Sequence, residues 1–352
     1  MLKILSVIGT RPNFIKEYLM HRELKRPGVK EVIAHTGQHY DYEMSQIFFD
    51  GFELPQPDYH LNQKGKSNIQ QTASILSAME AILVAEKPSC VLVYGDVNSV
   101  AAAALASAKL RIPVVHVEGG VRSEDRFNPE EINRRVTDHL SSLIFACTKT
   151  DYGNLLRENF SADEICLSGD LMKDSLMVTL EKEHIECEQG SYVLATIHRE
   201  ENVDSPIRLN GIVEGLVNSG LDIVFSLHPR TKKNLINNDL LKKLENCPQV
   251  TLLEPQGYSE FVRLLAGANR VFTDSGGVRR EAYILGKPVI VPINIVWFPE
   301  IVESGWMVTV EPNPKEISGQ LREFTPTSPR PPIFGDGNAR AVIADRIVEV
   351  FG

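Results

Sequence analysis

The sequence predicts a doubly wound α/β protein of two domains. Two observations carry that prediction. Short apolar runs of four to seven residues alternate with longer helical patterns, and the alternation occurs in two successive sets. That alternation is the signature of βαβ units, in which a parallel sheet is covered on both faces by helices. Length agrees, because 352 residues exceed what one hydrophobic core usually organises and divide naturally into two domains of roughly 150 to 180 residues.

In the first set the apolar runs Lys3–Gly9, Val32–Thr36, Cys90–Gly95, Val114–Glu118 and Leu143–Cys147 read as strands, with helical patterns at Asn68–Glu86 and in the Ala-rich Ser99–Leu110. The second set begins near Ser191 and reads as strands at Tyr192–Thr196, Ile223–Leu227, Val250–Leu253, Arg270–Thr273 and Val289–Pro292. Between them, Gly169 to about Gly190 is charged and weakly patterned, so the crossover is expected there, with domains at 1–170 and 171–337. The Pro-rich Thr325–Pro332 interrupts the second set. Asn338–Phe351 has helical spacing, and 338–352 is expected to pack back across a domain.

Composition is that of a globular protein, with 43% apolar and 24% charged residues. A formal net charge of −9 disfavours broad nucleic-acid or anionic-membrane surfaces, which need clustered Lys and Arg. An anionic ligand therefore requires local positive charge. The five cysteines (Cys90, Cys147, Cys166, Cys187, Cys247) are odd in number and irregularly spaced, so they read as buried free thiols rather than a disulfide framework or metal site. The N-terminus turns polar after seven residues, too soon for a signal peptide. No apolar run approaches the roughly 20 residues of a membrane span, which points to a cytoplasmic protein.

Ligands of open parallel sheets bind beyond the carboxyl ends of the strands, so polar residues directly after apolar runs take priority. The first strand leads into Gly9-Thr10-Arg11-Pro12 and a helix with Lys16, placing two cations and a helix N-terminus where a phosphate would fit. Asp96, Glu118 and the pair Glu130/Glu131 bring carboxylates to three further strand ends. In a water-poor site their proton affinities rise, poising one for proton transfer near neutral pH. Alternatively, Asp96 caps the helix near Ser99, and Glu130 or Glu131 favours the first turn after Pro129. In the second half, His198-Arg199 and His228-Pro229-Arg230 follow consecutive strands, and no HxxxH, HExxH or Cys/His spacing suggests a metal. Thr273-Asp274-Ser275-Gly276-Gly277 lies before a helix read at Val278–Leu285; its glycines admit close backbone approach and its N–H groups suit a diphosphate. Glu281, one turn on, suits ribose hydroxyls, while Arg279 and Arg280 add positive potential.

Eight ordered blocks, IGTRPNFIK, HTGQHYDYEMSQIFF, VYGDVNS, HVEGGVRS, NPEEINRRVTD, ATIHREEN, LHPR and TDSGGVRREA, resemble the UDP-N-acetylglucosamine 2-epimerase family over nearly the whole chain. The resemblance implies a GT-B fold, two Rossmann-like domains with the active site between them, a UDP-sugar substrate, a homodimer, and no redox cofactor or catalytic metal. It implies reversible epimerisation at C2 by elimination of UDP, formation of a 2-acetamidoglucal, and re-addition. By position, Asp96, Glu118 and Glu130 match the acid/base carboxylates, and His198 matches a histidine that assists the leaving UDP. Arg11, Lys16, Arg134, His228, Ser275, Gly276, Gly277 and Glu281 are the expected substrate-binding residues. Ile293, Trp297 and Phe298 stand where an Arg and a Thr-Glu pair are usual, and Asn13-Phe14 replaces an acidic-aliphatic pair. GDLMKDS and IFGDGNA look like the subgroup that epimerises UDP-2,3-diacetamido-2,3-dideoxyglucuronate, which is the alternative substrate. The same fold serves glycosyltransferases, which differ in needing an acceptor. Gln38 and His39 match a loop that in some members holds an activating UDP-sugar.

Overall fold

A computed structural model describes residues 1–38, 54–63, 67–123, 125–188, 190–293 and 298–352. They form two compact units, Met1–Ser175 with Ile333–Gly352, and Leu176–Pro332. His39 and Trp297 lie outside the described residues.

The first unit holds β1 (Leu2–Ile8), β2 (Val29–His35), β3 (Tyr59–His60), β4 (Cys90–Tyr94), β5 (Val114–Gly119), β6 (Leu143–Ala146) and β7 (Ile165–Leu167). Their order is β3-β2-β1-β4-β5-β6-β7, and every neighbouring pair is parallel. All five residues of β4 are buried, because helices cover both faces of a central parallel strand. Its apolar run is therefore continuous rather than alternating. The Ala-rich helix Asn98–Lys109 lies close to the sheet, with Ala101 to Ala104 all buried. Small side chains permit that approach. At Gly9 the fit is tight, since an added Cβ would stand 2.3 Å from Ser99 Oγ and 2.5 Å from Thr36 Oγ1.

The second unit holds β8 (Val193–Thr196), β9 (Ile223–Ser226), β10 (Val250–Leu253), β11 (Arg270–Thr273), β12 (Val289–Val291) and β13 (Met307–Thr309). It is again all parallel, in the order β10-β9-β8-β11-β12-β13. Its core gathers Phe225, Leu235, Phe272, Ile290 and Leu321 around the sheet.

Several elements depart from the sequence expectation. β3, β7 and β13 run only two or three residues, too short to stand out from loop sequence. The segment read as weakly patterned contains the helix Leu171–Lys182. Its inward face includes Asp174, Ser175 and Thr179 alongside Leu171 and Leu176, so buried polar residues break the apolar stripe. The helix expected from Val278 spans Gly276–Ile284, which puts both glycines inside its first turn. The last helix, Ala339–Phe351, belongs to the first unit. There Arg340 donates to Asp174 through its backbone N–H (2.8 Å) and to Glu23 through Nε (3.1 Å), while Asp345 pairs with Arg26. Cys90 and Cys147 are buried free thiols, but Cys166 and Cys247 are half-buried and Cys187 is exposed, which corrects the expectation of general burial. Among the described residues no helix is long and apolar enough to cross a membrane.

Candidate active site

In each sheet the strand order reverses once, between β1 and β4 in the first unit and between β8 and β11 in the second. At such a reversal the loops leaving neighbouring strands diverge to opposite faces and open a crevice at their carboxyl ends. The residues singled out above follow these same strands.

In the first unit, Asn13 ties the two loops together. Its Oδ1 accepts from Gly9 N (3.2 Å), Thr10 N (3.1 Å) and Thr10 Oγ1 (3.0 Å), and its Nδ2 donates to the carbonyl of Tyr94 (3.1 Å). One turn later Lys16 donates to Glu118 in a buried ion pair, with side chains only 4% and 10% exposed. Glu118 reaches it from an unusual backbone. Its φ is +69°, in the left-handed region, and the β5–β6 register shifts between Val117 and Gly119. A bulge of this kind re-aims a side chain, at a cost on the order of 1 kcal/mol for a non-glycine residue in that region. Gly95 also has positive φ (+73°), and an added Cβ would stand 3.2 Å from Glu118 Oε2.

Asp96 follows Gly95 and is oriented from the helix Pro129–Leu140. Arg134, 1% exposed, donates Nε to Asp96 Oδ2 (2.9 Å) and Nη1 to Glu131 Oε2 (2.7 Å). Asn133 donates to the Asp96 carbonyl (2.9 Å). Val97, not Asp96, occupies the N-cap of the helix Asn98–Lys109, so the Asp96 carboxylate is engaged by arginine. Glu130 and Glu131 do sit in the first turn after Pro129, with different surroundings. Glu131 is fully buried and also accepts from Ser123 N (2.9 Å) and Arg135 Nε (2.7 Å), whereas Glu130 is exposed.

Beneath these loops lies a buried network that sequence reasoning missed. His116 Nε2 contacts the Gly95 carbonyl (2.8 Å) and Nδ1 contacts Asp138 (2.7 Å), while Asp138 accepts from Gly120 N (3.2 Å) and Arg122 Nη1 (2.8 Å). Burial alone would push the Asp138 carboxyl up, but hydrogen bonds and charge from His116 and Arg122 hold it below its ordinary value. The network braces the Gly95 and Gly120 turns on either side of Glu118. Cys147 and Asp170, both buried, bring ligand-capable atoms within 4.8 Å of Glu118 and of each other, where Lys16 supplies the counter-charge.

In the second unit Asp274 joins the β8 and β11 loops. Its Oδ1 accepts from His198 N (2.9 Å), and its Oδ2 accepts from Arg199 N (3.0 Å) and Asn202 Nδ2 (2.9 Å). His198 Nδ1 lies 3.4 Å from the same carboxylate, and the His198 and His228 rings lie tilted at 37° to each other with centroids 5.4 Å apart. Burial pushes the His198 imidazole down, Asp274 opposes this, and His228, Arg199 and Arg279 add to it, so the ring stays neutral at physiological pH. His228 is exposed and caps the helix Pro229–Asn237, accepting from Arg230 N at Nδ1 (3.2 Å).

Ser275 caps the helix Gly276–Ile284 by accepting from Val278 N. A Cβ added at Gly276 or Gly277 would meet no heavy atom within 4 Å. Protein packing therefore does not demand glycine at either position, and the space beside the first turn lets a ligand come close. Glu281 is 4% exposed one turn on and accepts from Tyr258 OH (3.0 Å).

The structure thus brings Lys16, Glu118, Asp96 and Arg134 to one strand-order reversal, and His198, His228, Ser275, Gly276, Gly277 and Glu281 to the other. Arg11 opens the helix Arg11–Leu24 beside the first group. Glu130 stands on the exposed side of its helix, outside the hydrogen-bonded set. His116 and Asp138 were not found from sequence, and Asp274 and Glu131 were named there only as members of the Thr273–Gly277 motif and the Glu130/Glu131 pair, without these partners. The only signal for them was the presence of polar residues inside apolar or motif context.

Two doubly wound, Rossmann-like units, each with charged loops at its strand-order reversal, define a two-domain α/β protein. The chain belongs to the UDP-N-acetylglucosamine 2-epimerase family, whose model matches residues 22–348. It is 42% identical over 354 residues to a UDP-N-acetylglucosamine 2-epimerase homolog of Methanococcus maripaludis, covering 98% of this chain and 99% of that protein. It is 36% identical over 368 residues to a UDP-2,3-diacetamido-2,3-dideoxy-D-glucuronate 2-epimerase of Pseudomonas aeruginosa, covering 99% and 100%. Among solved structures it resembles the Methanocaldococcus jannaschii UDP-GlcNAc 2-epimerase in complex with UDP-GlcNAc and UDP, with a TM-score of 0.86, 38% identity and coverage of 99% and 100%. The fold is of the GT-B-like class.

Proposed function

We propose that the chain is a reversible epimerase that interconverts UDP-N-acetylglucosamine and UDP-N-acetylmannosamine. The observation that carries this reading is the helix start at Gly276 and Gly277, where a Cβ added at either position would meet no heavy atom within 4 Å and a diphosphate has room to approach the first turn. Its relatives' activities support the choice of sugar nucleotide.

In this reading Ser275, Gly276 and Gly277 hold the diphosphate, Glu281 holds the ribose, and His198 with His228 stands beside the leaving group. Neutral His198 donates a hydrogen bond to the departing phosphate oxygen. Among the carboxylates, Glu118 and Asp96 carry the proton transfers, each paired with a cation: Lys16 with Glu118, Arg134 with Asp96. Glu130 joins them by its place in the family pattern, and Arg11 adds positive charge at the first helix start. A carboxylate takes the C2 proton, the C–H electrons form the C1=C2 double bond, and the C1–O bond breaks with its electron pair leaving on UDP. Re-addition of UDP with a proton delivered to the opposite face of C2 gives the epimer. The chain acts in this reading without cofactor, in the cytoplasm and as a homodimer.

A second reading, favoured by the 36% identical Pseudomonas aeruginosa relative, replaces the sugar by 2,3-diacetamido-2,3-dideoxyglucuronate. Incubating the enzyme with each UDP-sugar alone, without acceptor, and resolving products by ion-exchange chromatography separates these readings. UDP-N-acetylmannosamine from UDP-N-acetylglucosamine is the expected product. Turnover of the uronate only establishes the second reading, and no turnover of either without an acceptor rejects both in favour of a glycosyltransferase.

A further inference from the structure

Arg279 carries a buried guanidinium whose hydrogen-bond donors are largely unmet among the described residues. Its side chain is fully buried, one of the two largest among the described residues with essentially no exposure. A guanidinium brings five N–H donors, and burying them without partners is costly. Among the described residues Arg279 makes a single hydrogen bond, from Nη2 to the Asp274 carbonyl (3.1 Å), and its Nε and Nη1 have no partner there. The Asp274 carboxylate does not pair with it directly, being occupied by His198 N, Arg199 N and Asn202 Nδ2. Arg199 adds a second cation nearby, with its own Nε on the same carbonyl (2.9 Å). Burial, reinforced by Arg199 and opposed by the charges of Asp274 and Glu201, pulls the Arg279 guanidinium down to about 10, so it remains charged at neutral pH. Replacing a buried charge by an apolar side chain of similar volume is often neutral or stabilising, so packing alone does not call for arginine here. The charge stands three residues past Gly276, behind the helix start and out of contact with solvent.

We propose that Arg279 is a positioning residue of the diphosphate site: from behind, it fixes the Asp274–Gly277 turn through the Asp274 carbonyl and adds a buried positive charge to the helix-start potential. This rests on the reading that a UDP-sugar seats its phosphates on that turn. A buried cation in a low-dielectric wall acts on an anion several ångströms away more strongly than a solvated one.

The test compares UDP, which carries the diphosphate, with uridine, which does not, on the full chain and its R279M and R279K variants, by calorimetric and NMR titration. R279M is expected to bind UDP about tenfold more weakly while uridine binding stays within about twofold, and R279K to regain most of the loss. R279Q gives the same comparison if R279M does not fold. UDP affinity unchanged in the neutral variant overturns the proposal. So does an equal loss for UDP and uridine, or R279K no better than R279M, because each marks a structural role only. A wild-type chain that fails to bind UDP sinks the functional reading itself, a different outcome from a wild type that binds and a variant that binds equally well.

Discussion

Replacing Asp274 by Asn tests how far the second half-site depends on one carboxylate. Asp274 is fully buried and accepts from three donors, His198 N and Arg199 N on the backbone and Asn202 Nδ2, at 2.9 to 3.0 Å. Asn has one accepting oxygen, so in either orientation its NH2 faces a backbone N–H. An orphaned buried donor costs about 1–3 kcal/mol. Loss of the negative charge beside Arg199 and Arg279 adds to that, giving about 2–4 kcal/mol in all. For a unit of this size each kcal/mol lowers the melting temperature by roughly 2–4 °C, so Asp274→Asn should melt about 5–15 °C lower. Differential scanning calorimetry at pH 7 reads this directly, and UDP titration of the folded variant should show weakened binding because His198 and the turn lose their common anchor. A melting temperature within about 1 °C of wild type, with UDP affinity intact, refutes the keystone role of Asp274.

Two further perturbations address the first unit. Lys16→Met strands the buried Glu118 carboxylate, which should cost about 3–5 kcal/mol or force Glu118 to take a proton. Epimerase turnover should then fall more than about 100-fold, and near-normal turnover would remove Lys16 from the site. His35 stacks on Phe14 (centroids 5.2 Å apart) and accepts from Gly37 N at Nδ1 (3.1 Å); burial, with His60 charge, pushes its imidazole from 6.5 to about 4. Its folded value lies below its unfolded one, so stability is full above about 6.5 and is lost as pH falls toward 4, by about 3 kcal/mol. Denaturant titrations across that window should show the loss in wild type and a flatter profile in His35→Gln; parallel profiles would count against it.

Much of this was readable in the sequence because strand ends and site residues are neighbours in the chain. Asp96, Glu118, His198 and Ser275 each lie at or just beyond a short apolar run, and parallel pairing brings such positions to one sheet edge. What the sequence hid lies in long-range and rotational detail. Asp274 meets its partners 72 to 76 residues away, and His116 meets Asp138 across 22, distances over which local pattern is silent. Glu130 and Glu131 look alike in sequence, yet adjacent helical residues point about 100° apart. The helix turns Glu131 inward to Arg134 and leaves Glu130 exposed. The helix Leu171–Lys182 escaped because Asp174, Ser175 and Thr179 are buried where apolar residues were sought.

Solvent exchange at the reacting carbon tests the account most directly. With UDP-N-acetylglucosamine in heavy water, carboxylate-mediated elimination and re-addition must deliver a solvent-derived hydrogen, so proton NMR should show the epimer deuterated at C2. An epimer that keeps its original C2 hydrogen would contradict proton abstraction by these carboxylates and, with it, the assigned chemistry.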